Sequence, residues 1–274
     1  YAVHRFFNHL GLSVLCLEAA SGVGGVWHHN RYPGARVDLE SVDYSYFFSA
    51  ELYRDWEWTE RYAAQPELLR YLNHVADRFD LRRHIRLNTT VTGAHWRAAR
   101  TSYEIRTGDG DRLEARFLVM TTGNLSAVRE PAFPGFAQYA GDWLQTSRWP
   151  EGEVDLAGQR VAVIGTGSSA VQTITEVSHT AERVVVFQRT PNFSVPAWNG
   201  PLDRQRWTEV GRDVPGVREK LLRTPGGSHM PRAESPASGY SATERAKLLD
   251  RAWQIGGFAM NSVFLDQGTD EATN

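Results

Sequence analysis

Val161-Ala162-Val163-Ile164-Gly165-Thr166-Gly167-Ser168-Ser169-Ala170 is an apolar run that ends in a Gly-x-Gly-x-x-Ala turn. The run predicts a strand over 160–164. Gly165 then permits a tight turn, Gly167 lets backbone approach a pyrophosphate, and Ala170 keeps the following helix close to the strand. The N-terminus of that helix, from Ser168 and Ser169 to Gln172, offers free amides and a favourable dipole to phosphate. A second apolar run over 183–187 closes a strand–turn–helix–strand unit, and this context lifts the motif above a chance match. The next strand tip selects the cofactor. An NAD site places Asp or Glu there for the ribose hydroxyls, whereas this chain has Gln188-Arg189-Thr190. Guanidinium and hydroxyl suit the 2′-phosphate of NADPH. A plain surface charge at Arg189 is the competing reading.

Towards the N-terminus the same unit is half repeated. Residues 1–10 carry Ala2, Val3, Phe6, Phe7 and Leu10 at helical spacing, with Gly11 where a capping glycine belongs. Ser13 to Leu17 predicts a short buried strand ending at Glu18, an acid placed to accept from an adenosine ribose. A solvated strand-end carboxylate would look alike in isolation. Helix, strand and terminal acid form the second half of a dinucleotide-binding unit, whose first strand and glycine loop are expected immediately before Tyr1. The stretch Gly24-Gly25-Val26-Trp27-His28-His29-Asn30-Arg31-Tyr32-Pro33-Gly34-Ala35-Arg36-Val37-Asp38 combines pliant backbone, aromatic faces and an Arg/Asp pair. That is the composition of a binding loop. Its alternative is a loop over core aromatics Trp27 and Tyr32. Adjacent His28 and His29 are expected to point apart and lack a third ligand, so no metal site is expected.

A helix is expected over 66–79, with Leu68, Leu69, Leu72, Val75, Ala76 and Phe79 on one face. Short strands are expected within 85–105, a hairpin turn at 108–110, and a buried strand over 117–120 running into Thr121-Thr122-Gly123. Residues 131–150 read as a loop-rich crossover, and 203–260 as polar helices broken at Pro225-Gly226-Gly227. The chain has 274 residues, 41% of them hydrophobic, a formal net charge of −2 and a lone cysteine, Cys16. This excludes a disordered chain, an intramolecular disulfide and a strongly basic nucleic-acid or membrane-surface protein. A cytoplasmic protein with neither nucleic-acid nor membrane partners is expected.

Several unrelated motifs together resemble the Baeyer–Villiger monooxygenases, the class B flavin monooxygenases. They are Gly24-Gly25-x-Trp27, Arg31-Tyr32-Pro33-Gly34 through Asp38, Thr122-Gly123, and 163–169, with stretches such as 58–71, 75–82, 187–197 and 223–227 extending the likeness over the whole chain. The resemblance implies an α/β protein with two Rossmann-like dinucleotide-binding domains, for FAD and NADP, and a helical insert. Residues 1–150 would be FAD domain, 151–200 the first part of the NADP domain, and 201–274 its insert. Against FAD the resemblance places Glu18, the Gly25-Val26-Trp27 turn, Arg36, Asp38, Tyr44, Val91 and Gly123, with Asn124 near the nicotinamide end. For NADP it implies Gly165, Thr166, Gly167, Ser168, Ser169, Gln172, Arg189 and Thr190. It further implies oxidation of NADPH, use of O2, and insertion of one oxygen next to the carbonyl of a small-molecule ketone, giving an ester or lactone. Asp38 is the implied catalytic residue, orienting an arginine expected beyond Asn274.

The family's signature Phe-x-Gly-x-x-x-His-x-x-x-Trp-Pro reads here Tyr139-Ala-Gly141-Asp-Trp-Leu-Gln145-Thr-Ser-Arg-Trp149-Pro150. Gln145 keeps hydrogen bonding but loses titration near neutrality. The chain is expected to be cut at both ends, to bind FAD poorly alone and not to turn over. A nitrogen- or sulfur-oxygenating relative, and a non-catalytic NADP-binding descendant, are the alternatives.

Overall fold

The computed structural model describes residues 1–224, 226–230, 233–267 and 269. Pro225 of the expected helix break and residues 270–274 of the expected insert lie outside the described residues. In chain order the elements are a π-helix (His4–His9), β1 (Cys16–Leu17), α1 (Val26–His29), α2 (Ser41–Tyr44), α3 (Ala50–Asp55), α4 (Gln65–Arg78), β2 (Ile85–Arg86), β3 (Val91–Arg97), β4 (Ser102–Thr107), β5 (Arg112–Ala115), β6 (Arg160–Ile164), α5 (Ser168–Val177), β7 (Arg183–Phe187), α6 (Arg204–Arg212), α7 (Val214–Leu222) and α8 (Ala242–Ile255). Helix and sheet are mixed, and no described helix is long and apolar enough to cross a membrane. The chain divides into two compact units, 1–32 with 68–155 and 33–67 with 156–274.

In the first unit, the expected N-terminal helix forms and ends at Gly11, whose N–H donates to the Phe7 carbonyl at 3.0 Å with φ +62°. β1 pairs in parallel with β2, Cys16 opposite Ile85. It spans two half-buried residues, not the buried five expected, and Leu15 is 52% exposed. β3, β4 and β5 form an antiparallel meander. Its β4–β5 turn falls at 108–111, as the glycines predict, with Gly110 at φ +92°. The expected strand over 117–120 is corrected. No described segment pairs with it, and Phe117, Val119 and Met120 are exposed. An apolar run becomes a strand only where a ladder takes up its backbone hydrogen bonds. His28 and His29 do not point apart: their rings meet edge to face with centroids 5.2 Å apart.

The amphipathic helix over 66–79 is found as α4, with Leu68, Val75 and Ala76 buried and Leu69, Leu72 and Phe79 half-buried. In the second unit β6 and β7 occupy the expected residues and pair in parallel without a register slip, from Arg160 opposite Arg183 to Ile164 opposite Phe187. α5 crosses between them. α6 opens on Asp203, which accepts from the amides of Gln205 and Arg206, and α8 on a Ser241/Glu244 capping box. Tyr53, 1% exposed, stacks on Trp207 at 5.8 Å and donates to the Trp207 carbonyl. Trp58 is equally buried and donates through Nε1 to Ser45 Oγ at 2.9 Å. Ser41 is fully buried, donating to the Glu60 carbonyl and accepting from the Ala63 amide. These polar groups fix the irregular 33–64 backbone, because an unpaired buried donor or acceptor would cost about 1–3 kcal/mol.

Candidate functional site

β6 delivers the chain into Gly165, whose φ of +110° is a conformation side-chain-bearing residues rarely adopt. A Cβ built on Gly165 or Gly167 meets no atom within 4 Å, so the turn is lined by open space. No side chain caps the first turn of α5. The arrangement fits a pyrophosphate: bare backbone, uncapped amides and a helix dipole on one side of an open turn. Gln188 Nε2 donates to Thr166 Oγ1 at 3.1 Å, and Asn192 Nδ2 donates to the Thr166 carbonyl at 3.0 Å. The tip beyond β7 is thereby tied to the turn. Arg189 and Thr190 lie there, exposed, and Arg189 makes no ion pair among the described residues. Asn192 was not foreseen; its only signal is an amide four residues past the strand tip.

The loop at 34–38 is docked on the same helix. Gly34 has φ +78°, and a Cβ there would lie 2.6 Å from the Gln172 carbonyl oxygen and 2.7 Å from Glu176 Cγ. The Gln172 side-chain amide then serves three partners. Its oxygen accepts from the Arg36 N–H at 3.4 Å, and its Nε2 reaches the Arg36 carbonyl at 3.2 Å and Asp38 Oδ1 at 3.1 Å. Arg36 donates to Glu60 Oε2 at 2.9 Å and to the Tyr62 carbonyl. Asp38 is exposed at the edge of a cavity of about 300 Å³. Protein packed about its carboxyl raises its pKa above the ordinary aspartate value, and the Gln172 hydrogen bond offsets part of that rise.

The rest of that cavity carries a charge network assembled from distant sequence. Glu40 accepts from Arg61 at 2.7 Å and from Arg206, while Arg61 also donates to the Ile255 carbonyl at 2.9 Å at the end of α8. Asp43, its side chain 3% exposed, receives both the backbone N–H and the ring Nδ1 of His229, with Arg206 at 3.6 Å. None of Glu40, Asp43, Arg61, Arg206 and His229 was foreseen: Glu40 and Asp43 stand three apart at α2, a spacing that could have marked them, whereas Arg61, Arg206 and His229 gave no such signal. Tyr44 ends α2 half-buried.

In the first unit, Glu18 directly follows β1, where its Oε1 accepts from the Ala20 N–H at 2.8 Å, and its carbonyl accepts from the Thr89 N–H at 2.9 Å. Val91 opens β3 beside a register shift and is 44% exposed. Gly25, at φ +54°, precedes the short helix α1, on which Val26 and Trp27 are half-buried. Gly123 has φ +72° and Asn124 is exposed. Gln145 donates through Nε2 to the Arg129 carbonyl at 2.9 Å, and Arg148 pairs with Glu130 nearby. The substituted signature position thus pins the crossover through an amide, a bond that does not depend on protonation.

The family model described as flavin-binding monooxygenase-like matches residues 6–197. A Baeyer–Villiger monooxygenase of Pseudooceanicola batsensis is 40% identical over the whole chain, which covers 50% of that protein. A phenazine N-monooxygenase of Lysobacter antibioticus is 37% identical, again over the whole chain and 51% of the relative. Among solved structures, an oxidised steroid monooxygenase bound to NADP superposes with a TM-score of 0.93 at 48% identity, covering all of this chain and 52% of that one. The chain thus spans about half the length of these relatives.

Proposed function

The chain belongs to the flavin-binding monooxygenase-like family, and we propose that the protein it represents is an FAD-dependent, NADPH-consuming Baeyer–Villiger monooxygenase with two Rossmann-like domains and a helical insert. In this reading residues 1–150 belong to the FAD domain, 151–200 to the NADP domain and 201–274 to the insert. The overall reaction converts a ketone, O2, NADPH and a proton into an ester or lactone, NADP+ and water. Bound FAD supplies the redox chemistry that activates oxygen.

The observation that carries the reading is that α5 bears both an open glycine turn at its start and the Arg36–Asp38 loop at Gln172. Amides from Thr166 to Ser169 hold the pyrophosphate of NADPH, and Arg189 with Thr190 holds its 2′-phosphate. Glu18 accepts from the ribose of FAD, while the Gly25–Trp27 turn, Tyr44, Val91 and Gly123 pack against that cofactor and Asn124 faces the nicotinamide end. Asp38 places a negative charge that orients a cation beside the reacting centre. Identity of 40% over the whole chain to a Baeyer–Villiger monooxygenase supports the same choice. Work in the cytoplasm on a small ketone, with O2 as co-substrate, completes the proposal.

The N-oxygenating alternative is favoured by one observation, the phenazine N-monooxygenase at 37% identity. Product mass decides between them. The full-length protein is supplied with NADPH, oxygen, a panel of cyclic and aryl ketones, and an aromatic N-heterocycle. Ester or lactone from the ketones is expected. N-oxide alone would replace the reading with the second one, and no NADPH consumption by FAD-loaded protein would reject both.

A further inference from the structure

We propose that Gln172 is a positioning residue that makes the Asp38 carboxylate responsive to occupancy of the dinucleotide turn. This rests on the reading of 165–167 as the NADP turn and of Asp38 as part of the reacting centre. Gln172 lies one helical turn into α5, so a nucleotide that draws on the first amides of α5 acts on the element that carries it. Its side chain holds the loop as a neighbouring strand would, accepting from the N–H of Arg36 and donating to the carbonyl of the same residue. The remaining reach of Nε2 goes to Asp38 Oδ1. Gly34 removes slack from the arrangement, since its backbone lies against the Gln172 carbonyl with no room for a side chain. A small rotation of α5 therefore moves loop and carboxylate together, because close-packed contacts transmit displacement.

The charged neighbours of Asp38 are otherwise occupied. Across the cavity Glu40 is paired with Arg61 and Arg206, and Asp43 with His229 and Arg206. Arg36 is paired with Glu60, and the Tyr62 hydroxyl is itself pushed up in pKa by burial. Glu176 packs on Gly34 from α5 through its methylene. Gln172 is left as the hydrogen-bond donor that steadies ionised Asp38.

The test uses the whole 274-residue chain with 13C-labelled aspartate, the Asp38 carboxyl resonance being assigned with Asp38→Asn. Wild type, Gln172→Met and Gln172→Glu are titrated by NMR with and without NADP+. Without nucleotide, the Asp38 midpoint should rise in Gln172→Met and rise further in Gln172→Glu, where a second carboxylate faces it. NADP+ at saturating concentration should shift the Asp38 resonance in wild type but not in Gln172→Met. An unchanged midpoint in both folded variants would overturn the tether. An equal NADP+ response in wild type and Gln172→Met would overturn the coupling. Absence of NADP+ binding to wild type would defeat the NADP reading and the coupling with it, while the nucleotide-free titration still decides the tether. A Gln172→Met chain that fails to fold leaves that decision to Gln172→Glu, which keeps length and polarity.

Discussion

Two glycine turns, at 34 and at 165–167, meet opposite demands on the same helix. Gly34 is closed: protein backbone and a glutamate side chain occupy the place where a Cβ would stand. Gly165 and Gly167 are open, with no atom within 4 Å of theirs. With no room for a Cβ, Gly34 serves the packing of the chain on itself, whereas the open space at Gly165 and Gly167 lies before the first amides of α5, where a phosphate fits. The pattern Gly-x-Gly-x-x-Ala conveys the second use, whereas the Pro33-Gly34 pair conveys only a turn, and its helix partner lies some 140 residues on in sequence.

The largest effect should come from filling the closed site. Gly34→Ala combines strain at positive φ with overpacking against α5 and should cost about 2–4 kcal/mol in urea unfolding of the chain. A loss under about 0.5 kcal/mol would break the contrast. Gly167→Val, at φ −74° in open space, should leave stability nearly unchanged yet weaken NADP+ binding about tenfold or more in calorimetry, by standing between backbone and phosphate. Equal damage to stability would mean that the open turn is structural. Arg189→Ala should weaken NADP+ by about tenfold and leave NAD+ nearly untouched, since its guanidinium is assigned to the 2′-phosphate alone. Smallest is Ser241→Ala, which removes the α8 capping box at about 1 kcal/mol and should move neither nucleotide affinity.

What the sequence conveyed was local. β6, β7, α4 and the turn at 108–111 follow from apolar spacing and glycines within a few residues of each other, and they stand where the pattern put them. The unit β6–α5–β7 closes over fewer than thirty residues, so its ladder partners are near in sequence. β1 instead pairs with β2 across about seventy residues and survives as two residues, while 117–120 finds no ladder among the described residues. The apolar signal was similar in all these strands; the pairing was not readable. The site divides along the same line. The glycine turn at 165–167 was legible as a motif. The threefold use of Gln172 and the network joining Glu40 and Asp43 to Arg61, Arg206 and His229 arise from contacts up to 186 residues apart, to which periodicity is blind.

The most direct measurement is calorimetric titration of NADP+ and, separately, NAD+ into the wild-type chain. Saturable binding of NADP+, with NAD+ weaker by about tenfold for want of the 2′-phosphate, is the expected result. Equal affinity for the two would contradict the role given to Arg189, and no binding of either would contradict the open turn as a nucleotide site.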